Sequence, residues 1–394
     1  MSAPAPRGNR GPRAAVRWGM RLLPVLATWA CVARAPAEST LPGGGLVRHA
    51  GALAALEAAR AAPDPIVRAA ALGALIRVSP GPDGGPAAPA AVFDPDPWVA
   101  DEALRALETR AAAPPVAALL ARRVAAPGAP GAACGAALVL LRAGQKVDAA
   151  SLDAVRARAA GTADAGLCAL ATLGAGGGAE IFLAGLREGE LPLDPRLLRA
   201  LSSAPASALD AAEAGLPWLE PVVAPAVAAA LAAAGRAAGT TALAAHLADP
   251  DPALRWEVLE AARSLGAPIG LPLALTASGD GDPSIAAAGA LLRWAWTGEG
   301  SPRAAAAAAD RDLRRFAADA AGAALRARGP RATGATELLH GLLGDEEAPI
   351  RRAACAALGH HPDLRARAPA EALLTDEDPR VQVAAARALL GIGG

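Results

Sequence analysis

Tyrosine is absent from this 394-residue chain, lysine occurs once at Lys146, and Phe, Trp and Tyr together make up 3%. The single Lys is a compositional skew, with Arg supplying nearly all the cations, and it assigns no function. Net charge is also missing, because 38 Lys and Arg balance 38 Asp and Glu. Such a chain has no overall electrostatic footprint for nucleic acid or an anionic membrane, although a local basic face stays open. Long apolar runs are lacking as well. Beyond the amino terminus, Arg, Asp, Gly or Pro interrupts every apolar stretch, so no membrane span is expected in the mature chain. Cysteine is sparse: Cys31, Cys134, Cys168 and Cys355, none in CxxC spacing. They read as small buried hydrophobes, with Cys134–Cys168 the one pairing to test.

Alanine is what the sequence has in abundance, at 115 residues, inside a hydrophobic fraction of 53%. That fraction lies far above disordered compositions, so the chain can bury a core. Alanine covers little area, so such a core needs backbones close together. Packed helices supply that, and Ala is the best helix former.

Residues 1–37 contain no acid. Arg7, Arg10, Arg13, Arg17 and Arg21 precede the apolar run 22–32, and Ala35-Pro36-Ala37 follows. This is the layout of a cleaved secretory signal, with an apolar core too short to span a bilayer comfortably. An extracytoplasmic mature chain, 38–394, is therefore expected: periplasmic, secreted or envelope-associated. A non-functional leader would leave the protein in the cytoplasm. Lipidation at Cys31 is disfavoured by the preceding Thr28-Trp29-Ala30.

Self-comparison exposes a repeat. An acidic turn, often Asp-x-Asp-Pro, leads into an apolar residue, often Arg, and then an Ala-rich helix. Its leading acids Asp249, Asp280, Asp310, Asp345 and Asp376 recur at spacings of 31, 30, 35 and 31. Further copies begin near Pro63 and at Asp94. An Asp before Pro is held out of the α region, as an N-cap requires, and Pro is favoured at the first helical position. Val67, Ala71 and Leu75 fall on one helix face, as do Val99, Ala103 and Leu107, Ile350, Ala354 and Leu358, and Val381, Ala385 and Leu389. Gly359 and Gly391 read as helix stops. A second, shorter helix fills each period, for example near 337–343 and 368–374. A period of about 30 residues holding two short helices predicts an all-α superhelix of stacked helix pairs, an α-solenoid in the form of a curved rod. The mature chain has room for roughly eleven repeats. Candidate breaks are 80–89, 127–131, 174–178, 189–195 and 298–302.

The pattern resembles HEAT repeats, specifically the short HEAT-like repeats of the phycobilisome-lyase type. The match is clearest over 60–110 and 245–394 and degenerate over 111–244. The resemblance implies that Arg68, Arg255 and Arg351, after the first apolar residue, ladder with turn acids between neighbouring repeats. Ala100, Ala286 and Gln382 stand where that Arg is missing, so the ladder should be discontinuous.

No catalytic, cofactor or metal constellation emerges. His49, His246, His340, His360 and His361 include no HExxH or zinc spacing. No His precedes Glu, against the di-iron sites of some HEAT-repeat enzymes. There is no GxSxG, and Gly43–Gly45 and Gly176–Gly178 lack the Lys-Ser/Thr of a phosphate loop. Paired acids such as Asp376 and Asp378 fall on cap positions. Trp256 and Trp294 have two readings. They fill gaps between repeats, or with Arg255 and Arg293 they form a contact patch on adjacent repeats. The function expected is a non-catalytic scaffold binding a protein or peptide, with no nucleic acid and no cofactor. The resemblance also invites a bilin-lyase-like enzyme or a nucleic-acid-binding HEAT protein. Poor aromatic supply and the leader weigh against the first, and zero net charge against the second.

Overall fold

The computed structural model describes residues 50–160, 162, 164–174, 195–221, 223–328, 332, 334–359 and 364–391. The leader 1–37, Cys31, His49, His360 and His361, and most of the breaks at 174–178 and 189–195 lie outside them.

The described residues form 21 α-helices. Four pairs open the chain: α1 (Ala50–Ala59) with α2 (Pro65–Val78), α3 (Ala87–Val92) with α4 (Pro97–Leu107), α5 (Pro114–Ala125) with α6 (Pro130–Arg142), and α7 (Ala149–Ala159) with α8 (Ala165–Gly174). α9 (Pro195–Leu201) follows. Then come α10 (Ala206–Gly215) with α11 (Ala224–Ala233), α12 (Ala237–His246) with α13 (Pro252–Leu265), and α14 (Ala267–Ala277) with α15 (Pro283–Thr297). The last three pairs are α16 (Arg303–Ala306) with α17 (Arg311–Arg328), α18 (Ala335–Leu342) with α19 (Ala348–Leu358), and α20 (Leu364–Ala372) with α21 (Pro379–Leu389).

Local chemistry sets the helix starts. Asp64, Asp96, Asp251, Asp282 and Asp378 sit in extended backbone, and each carboxylate accepts the N–H two residues ahead, with Pro at the first helical position. Each such cap contributes about 1 kcal/mol. Gly391 takes the left-handed backbone of a glycine stop at φ 70°, whereas Gly359 ends α19 in right-handed backbone at φ −59°.

Packing then assembles one row. The second helix of each pair, with α9, packs against its successor from α2 to α21, and α21 packs back against α1 and α2. The chain is an α-solenoid closed into a ring. Eleven helices make the inner row, and the first helices of the pairs form the outer layer. The closure corrects the expected curved rod. The stripes of the sequence face this core: Val67, Ala71, Val99, Ala103, Leu107, Ile350, Ala354, Val381 and Ala385 are all buried. Alanine lets the layers approach, and glycine closes the tightest gaps. A Cβ at Gly270 of α14 would collide with the Ala262 carbonyl and the Trp296 ring.

One covalent bond ties the inner row. Cys134 of α6 and Cys168 of α8 form a disulfide across 5.0 Å between their Cα atoms. Reading these two as free core cysteines is thereby corrected, while Cys355 is free and buried. No described helix is long and apolar enough to cross a membrane.

Candidate functional site

Two acids of each Asp-x-Asp-Pro turn divide the work. The second caps its own helix. The first, as at Asp94, Asp249, Asp280 and Asp376, accepts the N–H of the second in a tight turn. In the 345 turn, Asp345 accepts from Glu347 N–H. Four of these leading acids also receive an Arg from the preceding repeat of the ladder: Arg255 reaches Asp280 at 2.8 and 3.0 Å, Arg314 reaches Asp345 at 2.9 and 3.3 Å, Arg351 reaches Asp376 at 2.8 and 2.9 Å, and Asp94 is the fourth. Arg68 does the same to Asp94 at 3.0 and 3.2 Å. Each guanidinium also donates to carbonyls five and six residues behind it, as Arg255 does to Asp249 and Pro250. The bidentate fork therefore clamps two repeats while tying down its own turn. Asp249 thus offers Arg255 its carbonyl oxygen. Asp310 accepts from Asp312 and Leu313 N–H at the start of α17. Arg351 holds the Asp376 carboxyl below its ordinary range, helped by the Asp378 N–H and against burial.

Arg314 escaped the sequence reading because its spacings differ, 4 residues after Asp310 and 31 before Asp345 against 6 and 25 for Arg351, although it follows Leu313 as Arg351 follows Ile350. At the last repeat Gln382 keeps only the carbonyl bond, donating to Asp376 at 2.6 Å. Arg380, two residues earlier, closes the ring instead: its Nε donates to Asp64 at 2.9 Å, across 316 residues of sequence. Sequence inspection had no signal for that contact, because it depends on curvature summed over every repeat.

Buried charges line the inner row. On α13, Glu260 is 1% exposed and pairs with Arg263 at 3.0 Å and with Arg315 of α17 at 2.5 Å. Arg315 also pairs with Asp319 at 3.0 Å. α15 separates α13 from α17, and its first turns carry Ala286, Ala287, Ala288, Gly289 and Ala290, small enough for side chains to meet across it. Beside this cluster Glu257 is pushed up to about 7, by burial first and then by Glu260, with Arg315 opposing. A second cluster joins Glu102 of α4 to Arg77 at 2.8 Å and to Arg105. Burial would raise the Glu102 carboxyl, but Arg105, Arg77 and Arg387 of α21 outweigh it and hold it at about 2. Gly73 of α2 makes the room, since a Cβ there would strike the Glu102 side chain. Asp101 meanwhile pairs with Arg199 of α9 at 2.6 Å.

Trp256 and Trp294 fill gaps. Trp294 is 3% exposed, with the Arg328 guanidinium 5.7 Å from its ring centre. Trp256 is half-buried, 5.2 Å from the Phe316 ring. Arg255 is held in the ladder, and Arg293 is half-buried. In place of an open Arg/Trp contact patch, these four side chains belong largely to the ladder and the packing between repeats. Burying Trp294 gains apolar area that an Ala-rich neighbourhood otherwise lacks.

No protein-family model matches the sequence, and no curated protein matches it. Among solved structures the chain is similar, over 87% of its length, to the whole of an engineered protein at 19% identity and a TM-score of 0.31. A second engineered protein is matched at 17% identity and a TM-score of 0.26, over 77% of this chain and 94% of that one. Importin beta, crystallised in ammonium sulfate, is matched at 15% identity and a TM-score of 0.29, over 85% of this chain and 49% of its own. The superpositions are loose, so the solenoid assignment rests on the helix pairing itself.

Proposed function

We propose that this chain is a non-catalytic interaction scaffold, built from HEAT-like repeats of the phycobilisome-lyase type, that binds a protein or peptide on its surface outside the cytoplasm. One observation carries the reading. A closed row of helix pairs presents its turns side by side on a continuous rim, while the buried charges Glu102, Arg199, Glu260, Arg263 and Arg351 are engaged in ion pairs that hold the row. A surface of repeated turns suits recognition of an extended partner. The cross-link between Cys134 and Cys168 supports export, because disulfides persist in oxidising compartments. Affinity capture from the native host, with mass spectrometry of what is bound, tests the scaffold reading. A specific stoichiometric partner is expected, and turnover of a small molecule by the purified chain would overturn it. N-terminal sequencing of the mature protein is expected to begin at Glu38. A chain that retains residues 1–37 in the cytoplasm would refute export.

A further inference from the structure

Only five large apolar side chains among the described residues are exposed, and three of them belong to the first two repeats. Ile66 is 47% exposed, Phe93 40% and Trp98 41%. Ile66 and Trp98 occupy one register position, the residue after the helix-opening Pro, on α2 and α4, which pack side by side. The Arg68–Asp94 clamp joins the starts of α2 and α4, while the Phe93 ring beside that turn faces the Arg123 guanidinium of α5, 5.5 Å from its centre. The same register position holds Ala253, Ser284, Asp312, Pro349 and Arg380 in the other ladder repeats. The apolar choice is therefore local to two adjacent repeats and is not a demand of the fold.

The surroundings state what would cover this patch. The ladder bonds join the N-terminal turns of neighbouring inner helices, so those helices run parallel and their acids gather on one rim. The seven turns 62–68, 94–100, 249–255, 280–286, 308–314, 345–351 and 376–382 carry fifteen carboxylates against six arginines. Asp64 and Asp96 each accept the backbone N–H of an exposed anchor, Ile66 and Trp98 respectively, which sets a carboxylate beside each. Resting on the scaffold reading above, we propose that the rim of the first two repeats, centred on Ile66 and Trp98, docks a cationic polypeptide segment bearing a large apolar anchor. The anchor covers the patch, and its flanking cations run along the acidic rim. Aromatic anchors in desolvated contacts dominate binding energy, while rim charges set the encounter rate and its salt dependence.

The test uses the full chain and three labelled synthetic peptides in fluorescence anisotropy: one with four Arg around a central Leu-Phe, one with Glu in place of Arg, and one with Ser in place of Leu-Phe. Binding of the first alone is expected. The double variant Ile66→Ser/Trp98→Ser is expected to weaken it at least tenfold with an unchanged melting temperature. Glu377→Lys, at an 86% exposed carboxylate on the turn that Arg380 joins to Asp64, leaves the apolar centre intact and should weaken it several-fold and flatten its salt dependence. Leu275→Ser, at an exposed apolar site elsewhere, should leave it unchanged. Equal affinity in the double variant, equal binding of the Glu or Ser peptide, or no binding at all overturns the proposal. Its failure is separable from failure of the scaffold reading. A native partner captured equally by the unaltered chain and by the double variant leaves the scaffold standing and removes this rim from it.

Discussion

The ladder arc, residues 50–110 and 245–391, and the middle arc, 111–244, solve the same problem with different chemistry. In the ladder arc four of the seven turns reach the next repeat through a bidentate Arg–Asp clamp, at Arg68, Arg255, Arg314 and Arg351, while Ala100, Ala286 and Gln382 leave three without one. In the middle arc the turn acids thin out, and the Cys134–Cys168 bond joins α6 to α8 instead. Asp164 helps there, accepting from Gly131 N–H of α6 at 3.0 Å and from Arg196 of α9 at 2.5 Å. The difference teaches that neighbouring repeats need a specific tie in addition to apolar contact. Alanine-rich faces are smooth, and little else fixes one helix pair against the next.

Breaking the ladder arc at its most buried point should cost most. Glu260→Gln strands Arg263 and leaves Arg315 with Asp319 alone, and a loss of roughly 3–5 kcal/mol is expected in denaturant unfolding. A wild-type midpoint in that variant would show that the cluster is dispensable. In the middle arc, Cys134→Ala/Cys168→Ala opens a loop spanning 34 residues, with a typical loss of about 2–4 kcal/mol. Reducing agent should lower the melting temperature of the unaltered chain and leave that variant unmoved. Within the ladder, Arg351→Met removes a buried clamp with four close hydrogen bonds and should cost about 1–3 kcal/mol.

A pH titration sharpens the comparison. Glu257 is raised from 4.5 to about 7 on folding, so its contribution is fully present below pH 4.5 and is lost as pH rises towards 7 and beyond. Glu102 has the opposite sign. It is lowered from 4.5 to about 2, so its contribution is present above pH 4.5 and is lost as pH falls towards 2. Glu257→Gln is therefore expected to flatten stability between pH 4.5 and 7 and leave the acid limb unchanged. A variant that keeps the wild-type slope there would place the titration on another group. The smallest effect belongs to the seam. Arg380 and Asp64 are partly exposed, and Arg380→Ala should cost under about 1 kcal/mol. In small-angle scattering the ring should stay closed, because α21 still packs on α1 and α2. An enlarged radius of gyration would assign closure to that ion pair alone.

Caps, stripes and period were legible in the chain, because each is a local rule. Asp-Pro fixes a helix start within three residues, and Val67, Ala71 and Leu75 reveal their shared face through spacing alone. The roles of paired residues were less legible. Cys134 and Cys168 both sit among Ala and Leu, as a buried free thiol would, and their meeting depends on how α6 and α8 pack. Glu257 and Glu260 carry no local signal of their surroundings, and the closeness of α17 across a small-residue helix buries Glu260 and half-buries Glu257. Trp294 could be an anchor or a plug by spacing, and Arg328 from the following pair decides for the plug.

By itself, then, the amino-acid order determined the helix starts of the ladder arc, their apolar stripes and the period of the pairs, since hydrogen-bonded turns, caps and apolar periodicity act over a few residues. Tertiary structure alone decided that the row bends round until Arg380 meets Asp64. The bend at each repeat is small and is set by side-chain volumes at every interface, so its sum over eleven steps exists only in the assembled molecule.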